Sequence, residues 1–428
     1  MILAYRILVN LLYPFLVFLI YFRKLINKED PVRFREKIFS SKFNVIKKKK
    51  NNKLLWFHAA SIGEFKSIMP IIIELNKYNK NLEFLITTLT ISSGNIVEEQ
   101  SKKYKNMHHR FLPLDVNFLI NDFLSLWDPD IIFLVDSEIW PNLILNAGAK
   151  KIPLILLNAR ITKKTFRKWK FFPKTAEKIF SFFKLCLVSN LETKEYLETL
   201  KANNISFHGN LKLINQIEID KIHNLNKDIL VKKRFWIAAS THNGEDIFCI
   251  NTHIEIKKRY NDILTIIAPR HINRAKEIKF LCESKNLKTQ ILNSDEKIHN
   301  DKKIIIINSF GVLNNYFKYA KSVFIGKSSL KELQSVGGQN PIEASIFGCK
   351  VYHGPYVYNF KEIYNILEKL NISKKVTDYK DLSQSLIEDL ENPTKNQNTN
   401  TKKMDDLSKK TLNQTMNKIY GILSNEIS

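Results

Sequence analysis

At 428 residues the chain has material for about two to three domains with sizeable cores. Its 67 basic and 42 acidic residues leave a formal net charge of +25, which points to an anionic partner: nucleic acid, acidic lipid or a phosphorylated substrate. Cys186, Cys249, Cys282 and Cys349 are scattered without C-x-x-C spacing, which argues against a zinc site or a disulfide scaffold and suits a reducing compartment.

The first element is the run Ile7 to Phe22 (ILVNLLYPFLVFLIYF), almost wholly apolar and uncharged, with Arg6 before it and Arg23, Lys24 and Lys28 after it. No small-residue cleavage site follows, so residues 1–28 read as a membrane anchor rather than a removable signal peptide. The run is short for a spanning helix of about 20 residues, and Pro14 interrupts it. A tilted span and a deep interfacial anchor both remain open, beside the plainer reading of a buried helix. The basic flank places the following domains on the cytoplasmic side of an inner membrane. Val45 to Lys53 is a lysine and asparagine run that reads as a solvated linker.

From there, strand-like apolar runs alternate with helical patterns, the mark of parallel α/β units. The first series is Leu54–Ala60, Leu82–Thr88, Arg110–Leu114, Ile131–Asp136, Leu154–Asn158, Leu185–Ser189 and Ile205–Gly209. The second is Phe235–Ser240, Ile263–Ala268, Thr289–Asn293, Ile304–Asn308, Val323–Gly326 and Lys350–His353. The spacing predicts two doubly wound domains, 29–212 and 234–392, joined by a strandless linker at 213–233. Pro393 to Lys403 reads as a polar link, followed by an amphipathic helix, Met404 to Leu423, that packs back on one domain.

The residues that could carry chemistry lie past the ends of expected strands, where open α/β sheets bind ligands. After the first strand, Ser61-Ile62-Gly63-Glu64 makes a tight turn into a helix. Glu64 there could take a proton as a general base or could simply cap the helix. His58 alternates into the strand and reads as a packed core histidine. Val135 to Asn142 (VDSEIWPN) places Asp136 and Glu138 beside Trp140-Pro141, two carboxylates at one strand end. Asp128-Pro129-Asp130 imitates a metal-binding DxD, but it precedes its strand and reads as a turn.

Arg160, followed by Arg167-Lys168-Trp169 in a stretch interleaving cations and rings, suits a phosphorylated lipid at a membrane surface. The same pattern suits single-stranded nucleic acid; the anchor favours lipid, with no nucleic acid. Gly209-Asn210-Leu211 ends in Lys212 at the domain junction.

In the second half, Ala238 to Glu245 (AASTHNGE) is another capped strand end, and Pro269-Arg270 offers a guanidinium fit for phosphate. Gly326-Lys327-Ser328 fails as a P-loop, because Lys321 stands where that motif needs glycine. Gly337-Gly338-Gln339-Asn340-Pro341-Ile342-Glu343 reads as a glycine turn into a helix. Asn340 is the expected N-cap and Pro341 the first helical residue, with Glu343 in the first turn able to accept from ribose hydroxyls.

In order along the chain, SIGE, DSEIWPNL, NARIT, GNLK, IAASTHNGE, APRH, and GGQNPIE with HGPYVYNF resemble the 3-deoxy-D-manno-octulosonic acid (Kdo) transferases of lipopolysaccharide assembly. The resemblance implies an α/β GT-B fold with two Rossmann-like domains facing a cleft. It also implies inverting transfer of Kdo from CMP-Kdo to a tetra-acylated lipid A precursor at the inner membrane, without metal or cofactor. The family's base falls on Glu64, in an acceptor-binding first domain. Its two positions that stabilise the transition state fall on Glu138 and Lys212, with Lys212 on either the sugar carboxylate or the leaving phosphate. Its CMP contacts fall in the second domain, on Pro269, Arg270, Phe310, Gly311, Val312, Asn340, Pro341, Ile342 and Glu343. The chain departs from the family pattern at Gln339 and Tyr356, both usually histidine, at Lys327, usually small, and at Asp136, where glutamate is common. Two other readings stay open: a GT-B transferase using a UDP-sugar, and a non-catalytic basic protein that binds membrane or RNA.

Overall fold

The computed structural model describes residues 1–39, 51–214, 217, 219–392 and 395–426. Most of the lysine and asparagine run at 45–53 lies outside the described residues. The chain divides into two compact units, Met1–Ile214 with Lys409–Ser428, and Asn215–Ser408.

The first unit is built on seven parallel strands: β1 (Lys53–His58), β2 (Leu82–Thr88), β3 (Met107–Phe111), β4 (Ile131–Val135), β5 (Leu154–Ala159), β6 (Phe183–Val188) and β7 (Ile205–Phe207). They lie in the order β3-β2-β1-β4-β5-β6-β7. Every residue of β2, β4 and β5 is buried, as expected of parallel strands covered by helices on both faces. Phe57 and Phe133, on neighbouring strands, stack at 4.2 Å in the centre. The chain winds outward from β1 to β3, then returns to the other flank of β1 for β4. The switch in winding therefore falls between β1 and β4, where open α/β sheets place ligands at the strand carboxyl ends.

The second unit repeats the design with β8 (Phe235–Thr241), β9 (Leu264–Pro269), β10 (Thr289–Leu292), β11 (Ile304–Ile307), β12 (Ser322–Ile325), β13 (Lys350–His353) and β14 (Ser373–Lys375). The order is β10-β11-β9-β8-β12-β13-β14, so the switch falls between β8 and β12.

Apart from shifted strand ends, as in β3, which begins at Met107 rather than Arg110, the structure differs from the sequence reading in four places. The edge strand β14 is Ser-Lys-Lys, too short and polar for an apolar-run criterion, and its pairing with β13 makes it a strand. The expected polar link at 393–403 is helical from Lys395, within one helix Lys395–Glu426. Its stretch to Ser408 belongs to the second unit, where Met404 is buried and Asn400 donates to the Gly348 carbonyl; the remainder belongs to the first unit, where Met416, Ile419 and Leu423 are buried. Tertiary packing overrides weak helix propensity here. Among its described residues the expected linker holds no strand, as read, but it is packed rather than free-standing. Within it Ile219, Ile222 and Ile229 pack on the second unit's core, and Asn226 bonds to Glu296 and Ile298.

The fourth difference is at the glycine turn. Its helix is Ile342–Ile346, with Pro341 in the half-in position and no side-chain cap on it. Asn340 still accepts from the Ile342 N–H at 3.1 Å, a local side-chain turn two residues deep.

At the chain's start, a helix runs unbroken over Ile2–Leu25, through Pro14. It is not a buried helix: only Ile20 is enclosed, and most of its apolar side chains are exposed.

Candidate active site

In the first unit, the switch between β1 and β4 brings together residues distant in sequence. β1 ends at His58, and Ser61 caps the helix Ile62–Tyr78. Glu64, in the first turn, bends back to the strand end. One carboxylate oxygen accepts from the Ala60 N–H at 2.7 Å, and the other from the Ser61 hydroxyl at 2.9 Å. Burial raises the Glu64 pKa; those two hydrogen bonds oppose it, and the charges of Asp136 and Glu138 add to it.

Past β4, Asp136 adopts a left-handed conformation, φ +61°, which turns the chain sharply toward Glu138. Glu138 accepts from His58 Nε2 at 3.1 Å and from Trp140 Nε1 at 2.8 Å. Burial works to raise its pKa, but the His58 and Trp140 contacts outweigh this and lower it. His58 is packed in the core, as its alternation suggests, with Nδ1 against Thr87, and it also holds Glu138. Glu64 and Glu138 thus sit in environments that push their pKa values in opposite directions. That separation is the usual way two carboxylates come to serve as base and as permanent charge.

Lys212 reaches the same place from the far end of the unit. Gly209 turns at φ +102°, and Asn210 caps the short turn Leu211–Leu213 by accepting from the Lys212 N–H. Asn158, at the end of β5, accepts from the Leu211 N–H at 2.9 Å and fixes the turn to the sheet. The Lys212 ammonium then stands 3.5 Å from Asp136. Burial raises the Asp136 pKa, with Lys212 and Arg160 opposing.

The basic aromatic stretch forms the helix Lys163–Lys170, with none of its residues buried. Arg167 and Lys168 face solvent. Trp169 turns inward, edge-on to Phe180, so it is a packing residue first. The exposed rings are Phe171 and Phe172.

In the second unit, the switch between β8 and β12 is closed by a residue that the sequence reading passed over as a cap. Glu245, wholly buried, accepts from the backbone N–H groups of His242, Lys327, Ser328 and Ser329 and from the Ser329 hydroxyl. It thereby pins the turn after β12, where Lys327 is left-handed at φ +58°. The glycine turn hangs on that loop. The Gly338 N–H donates to the Lys327 carbonyl, Tyr356 N–H to the Ser328 carbonyl at 2.9 Å, and Gly354 N–H to the Ser328 hydroxyl at 2.9 Å. Gly337 is needed because a Cβ there would lie 2.2 Å from the Tyr356 carbonyl; the close approach is made by the chain itself. The same strand end holds an ion pair that sequence reasoning missed, Arg274 with buried Asp246. Local sequence carries no sign of these links, since Glu245 and its loop partners are 82 to 84 residues apart.

The other expected nucleotide contacts lie in this unit at the strand carboxyl ends. Pro269 closes β9, and Arg270 follows it, exposed, with its N–H on the Thr241 carbonyl. Past β11, Phe310 is exposed, and Gly311 turns at φ +76°. Val312, with Asn224, Asn226, Asn293, Ser309 and Asn315, lines a small polar cavity of about 100 Å³. Glu343 is exposed beside Asn340, while Pro341 and Ile342 are buried. Among the described residues, no group of three or more His, Cys, Asp or Glu could hold a metal ion.

A family model described as 3-deoxy-D-manno-octulosonic-acid transferase (kdotransferase) matches residues 36–215. Over 363 residues the chain is 31% identical to the 3-deoxy-D-manno-octulosonic acid transferase of Rickettsia bellii (strain RML369-C), covering 82% of each. The chain belongs to the Kdo transferase family, and so to the glycosyltransferases. It is also 30% identical over 319 residues to the probable mitochondrial Kdo transferase of Arabidopsis thaliana, covering 72% of this chain and 70% of that one. Among solved structures, a glycosyltransferase from Rickettsia africae ESF-5 matches with a TM-score of 0.57 at 13% identity, over 88% of this chain and all of that one. A putative UDP-N-acetylglucosamine 2-epimerase from Listeria monocytogenes matches at 0.58 and 14%, over 87% of this chain and 97% of that one. At such identities these two speak for the fold alone. With the two parallel Rossmann-like sheets, the fold of this Kdo transferase is GT-B.

Proposed function

We propose that this Kdo transferase transfers Kdo from CMP-Kdo to a tetra-acylated lipid A precursor, with inversion and without a metal, using Glu64 as general base. The observation that carries the reading is the carboxylate pair at the β1/β4 switch, with opposed pKa shifts. Glu64 takes the proton of the attacking acceptor hydroxyl, the new bond forms at the anomeric carbon, and the bond to the phosphate oxygen breaks, its electron pair leaving with CMP. Glu138, held anionic by His58 and Trp140, stabilises positive charge developing on the sugar ring. Lys212 neutralises an anionic group of the donor.

In the second unit, Arg270 and the turn at Asn340 to Glu343 hold the nucleotide, with Pro269 and the Phe310-Gly311-Val312 turn beside it. Charge on the leaving phosphate is met by the guanidinium and backbone N–H groups. The acceptor's phosphates are met by Arg160, Arg167 and Lys168, with Trp169 backing them from the core. The helix Ile2–Leu25 keeps the enzyme at the inner membrane with both units in the cytoplasm, where its lipid acceptor is found.

The test is CMP release from CMP-Kdo in the presence of the tetra-acylated precursor. Wild type should turn over, and Glu64→Ala should lose about 100-fold or more of kcat, the share a positioned base supplies. No turnover by wild type, or unchanged turnover in Glu64→Ala, refutes the proposal. Tighter binding of UDP than of CMP would move the chain to a UDP-sugar transferase instead.

A further inference from the structure

We propose that the apolar helix Ile2–Leu25 lies in the plane of the membrane surface, with one long face sunk into the acyl layer of a single leaflet, rather than crossing the bilayer. The inference rests on the membrane location proposed above and adds the orientation.

A helix of 24 residues is about 36 Å long, enough to span. Yet this one is fastened to the first unit at both ends. Near its start, the Tyr5 hydroxyl donates to Asp115 at 2.8 Å, and the Arg6 guanidinium donates to Asn142 at 3.1 Å and to Asn146 at 2.8 Å. In the middle, the Tyr13 hydroxyl donates to the Ile38 carbonyl at 2.6 Å, and its ring meets Phe118 edge-on at 5.1 Å. At the far end, Ile20 is buried with Phe34 and Ile38, and Arg23 pairs at 2.7 Å with Glu29, which also binds Lys37.

The partners at the start are themselves fixed to the sheet unit. Asp115 accepts from the N–H groups of Asn142 and Leu143, capping the helix Pro141–Ala149. A span would carry Tyr5 and Arg6 across about 30 Å of hydrocarbon while those partners stayed behind. Both ends of the helix therefore stay on the side of the catalytic unit.

The helix meets the unit through one stripe, Tyr5, Val9, Tyr13, Val17 and Ile20, at spacings of three and four residues. The opposite face carries Leu3, Ile7, Leu11, Phe15, Phe18 and Phe22, all exposed at 48–73%. A continuous apolar face of this length marks an interface. Charge selects its occupant. Lys28 is exposed just beyond the helix, and Lys163, Lys164, Arg167, Lys168 and Lys170 are exposed or partly exposed in the same unit, in a chain of net charge +25. Anionic headgroups complement these cations, whereas a second copy of the chain would meet them with like charge.

The experiment uses the full chain with a short protease-cleavable tag ahead of Met1, in sealed inside-out membrane vesicles that expose the cytoplasmic face. Added protease should remove the tag without detergent. Protection of the tag until detergent is added, on chain that pellets with the vesicles, overturns the in-plane orientation and leaves the membrane location standing. A second arm mixes purified chain with phosphatidylglycerol vesicles. Wild type should float with them, and Leu11→Asp with Phe15→Asp should reduce the bound fraction at least tenfold while thermal unfolding stays cooperative. Wild type that does not float refutes the membrane location itself. A variant that floats as before, or that loses only self-association, refutes this face as the lipid contact.

Discussion

Glu245→Gln tests whether the proposed donor half of the enzyme depends on one buried carboxylate. The wild-type side chain accepts five hydrogen bonds: Ser328 N–H at 2.8 Å, Ser329 N–H and hydroxyl both at 2.9 Å, His242 N–H at 2.9 Å, and Lys327 N–H. Glutamine can keep an oxygen toward Ser328 and Ser329, but its amide nitrogen then faces the N–H groups of His242 and Lys327, donor against donor. Each buried donor left without a partner costs about 1–3 kcal/mol, so the pair amounts to about 2–6 kcal/mol. A loss of that size is a large part of the stability of a typical domain. The molecule can relieve it most cheaply by letting the turn after β12 open. That turn carries the Gly338, Gly354 and Tyr356 contacts of the proposed nucleotide site. If half of the penalty is relieved by opening that binding must reverse, donor affinity falls by about 1–3 kcal/mol, or about 5- to 150-fold. Steady-state CMP release should therefore show a raised KM for CMP-Kdo with kcat much less affected. A variant with wild-type KM and an unshifted thermal transition would refute the positioning role of Glu245.

Four further outcomes follow from the same structure. The general base proposed at Glu64 works deprotonated, so kcat/KM should rise with pH through a Glu64 pKa that burial, with added repulsion from Asp136 and Glu138, holds above the usual carboxylate range. Asp136→Asn removes one of those repelling charges and should move the acid limb of the pH profile to lower pH; a limb that stays or rises contradicts this. Gly337→Ala should destabilise by at least about 1–3 kcal/mol and raise the KM for CMP-Kdo, because its Cβ would meet the Tyr356 carbonyl at 2.2 Å. Gly63→Ala, with nothing within 4 Å of its Cβ and a helical site, should raise stability by about 0.5–1 kcal/mol, checked by denaturant titration. Finally, burial pushes the thiols of Cys186 and Cys282 up to about 12, and Cys249 and Cys349 are also raised. The native chain should therefore resist a thiol-specific disulfide reagent, with four cysteines reacting only on unfolding.

Much of the fold was legible because its signals are local. An apolar run such as Leu82–Thr88 declares a strand buried on both faces, and β2 occupies just those residues. Alternation of such runs with helical patterns is enough to call for parallel sheets, since a crossover helix is what joins parallel neighbours. The failures have a common cause. Ser373–Lys375 is a strand only because β13 offers it an edge, and Lys395–Lys403 is helical only because Asn400 and Met404 find partners. In both cases tertiary contacts supply what composition withholds.

The candidate site divides along the same line. From the sequence alone came Glu64, Asp136, Glu138 and Lys212 as polar residues at strand ends, and Asn340 to Glu343 as a turn. Which of them meet, and in what protonation environment, required distances between residues far apart in the chain: His58 to Glu138 across 80 positions, and Glu245 to Ser328 across 83. The apolar run at the start shows the division most sharply. Its sequence determined that it would be a helix and would seek an apolar medium, because composition and period are properties of the segment itself. Its orientation depends on Tyr5 and Arg6 reaching Asp115, Asn142 and Asn146, 110 to 140 positions away. Only the folded sheet brings those groups within hydrogen-bond range.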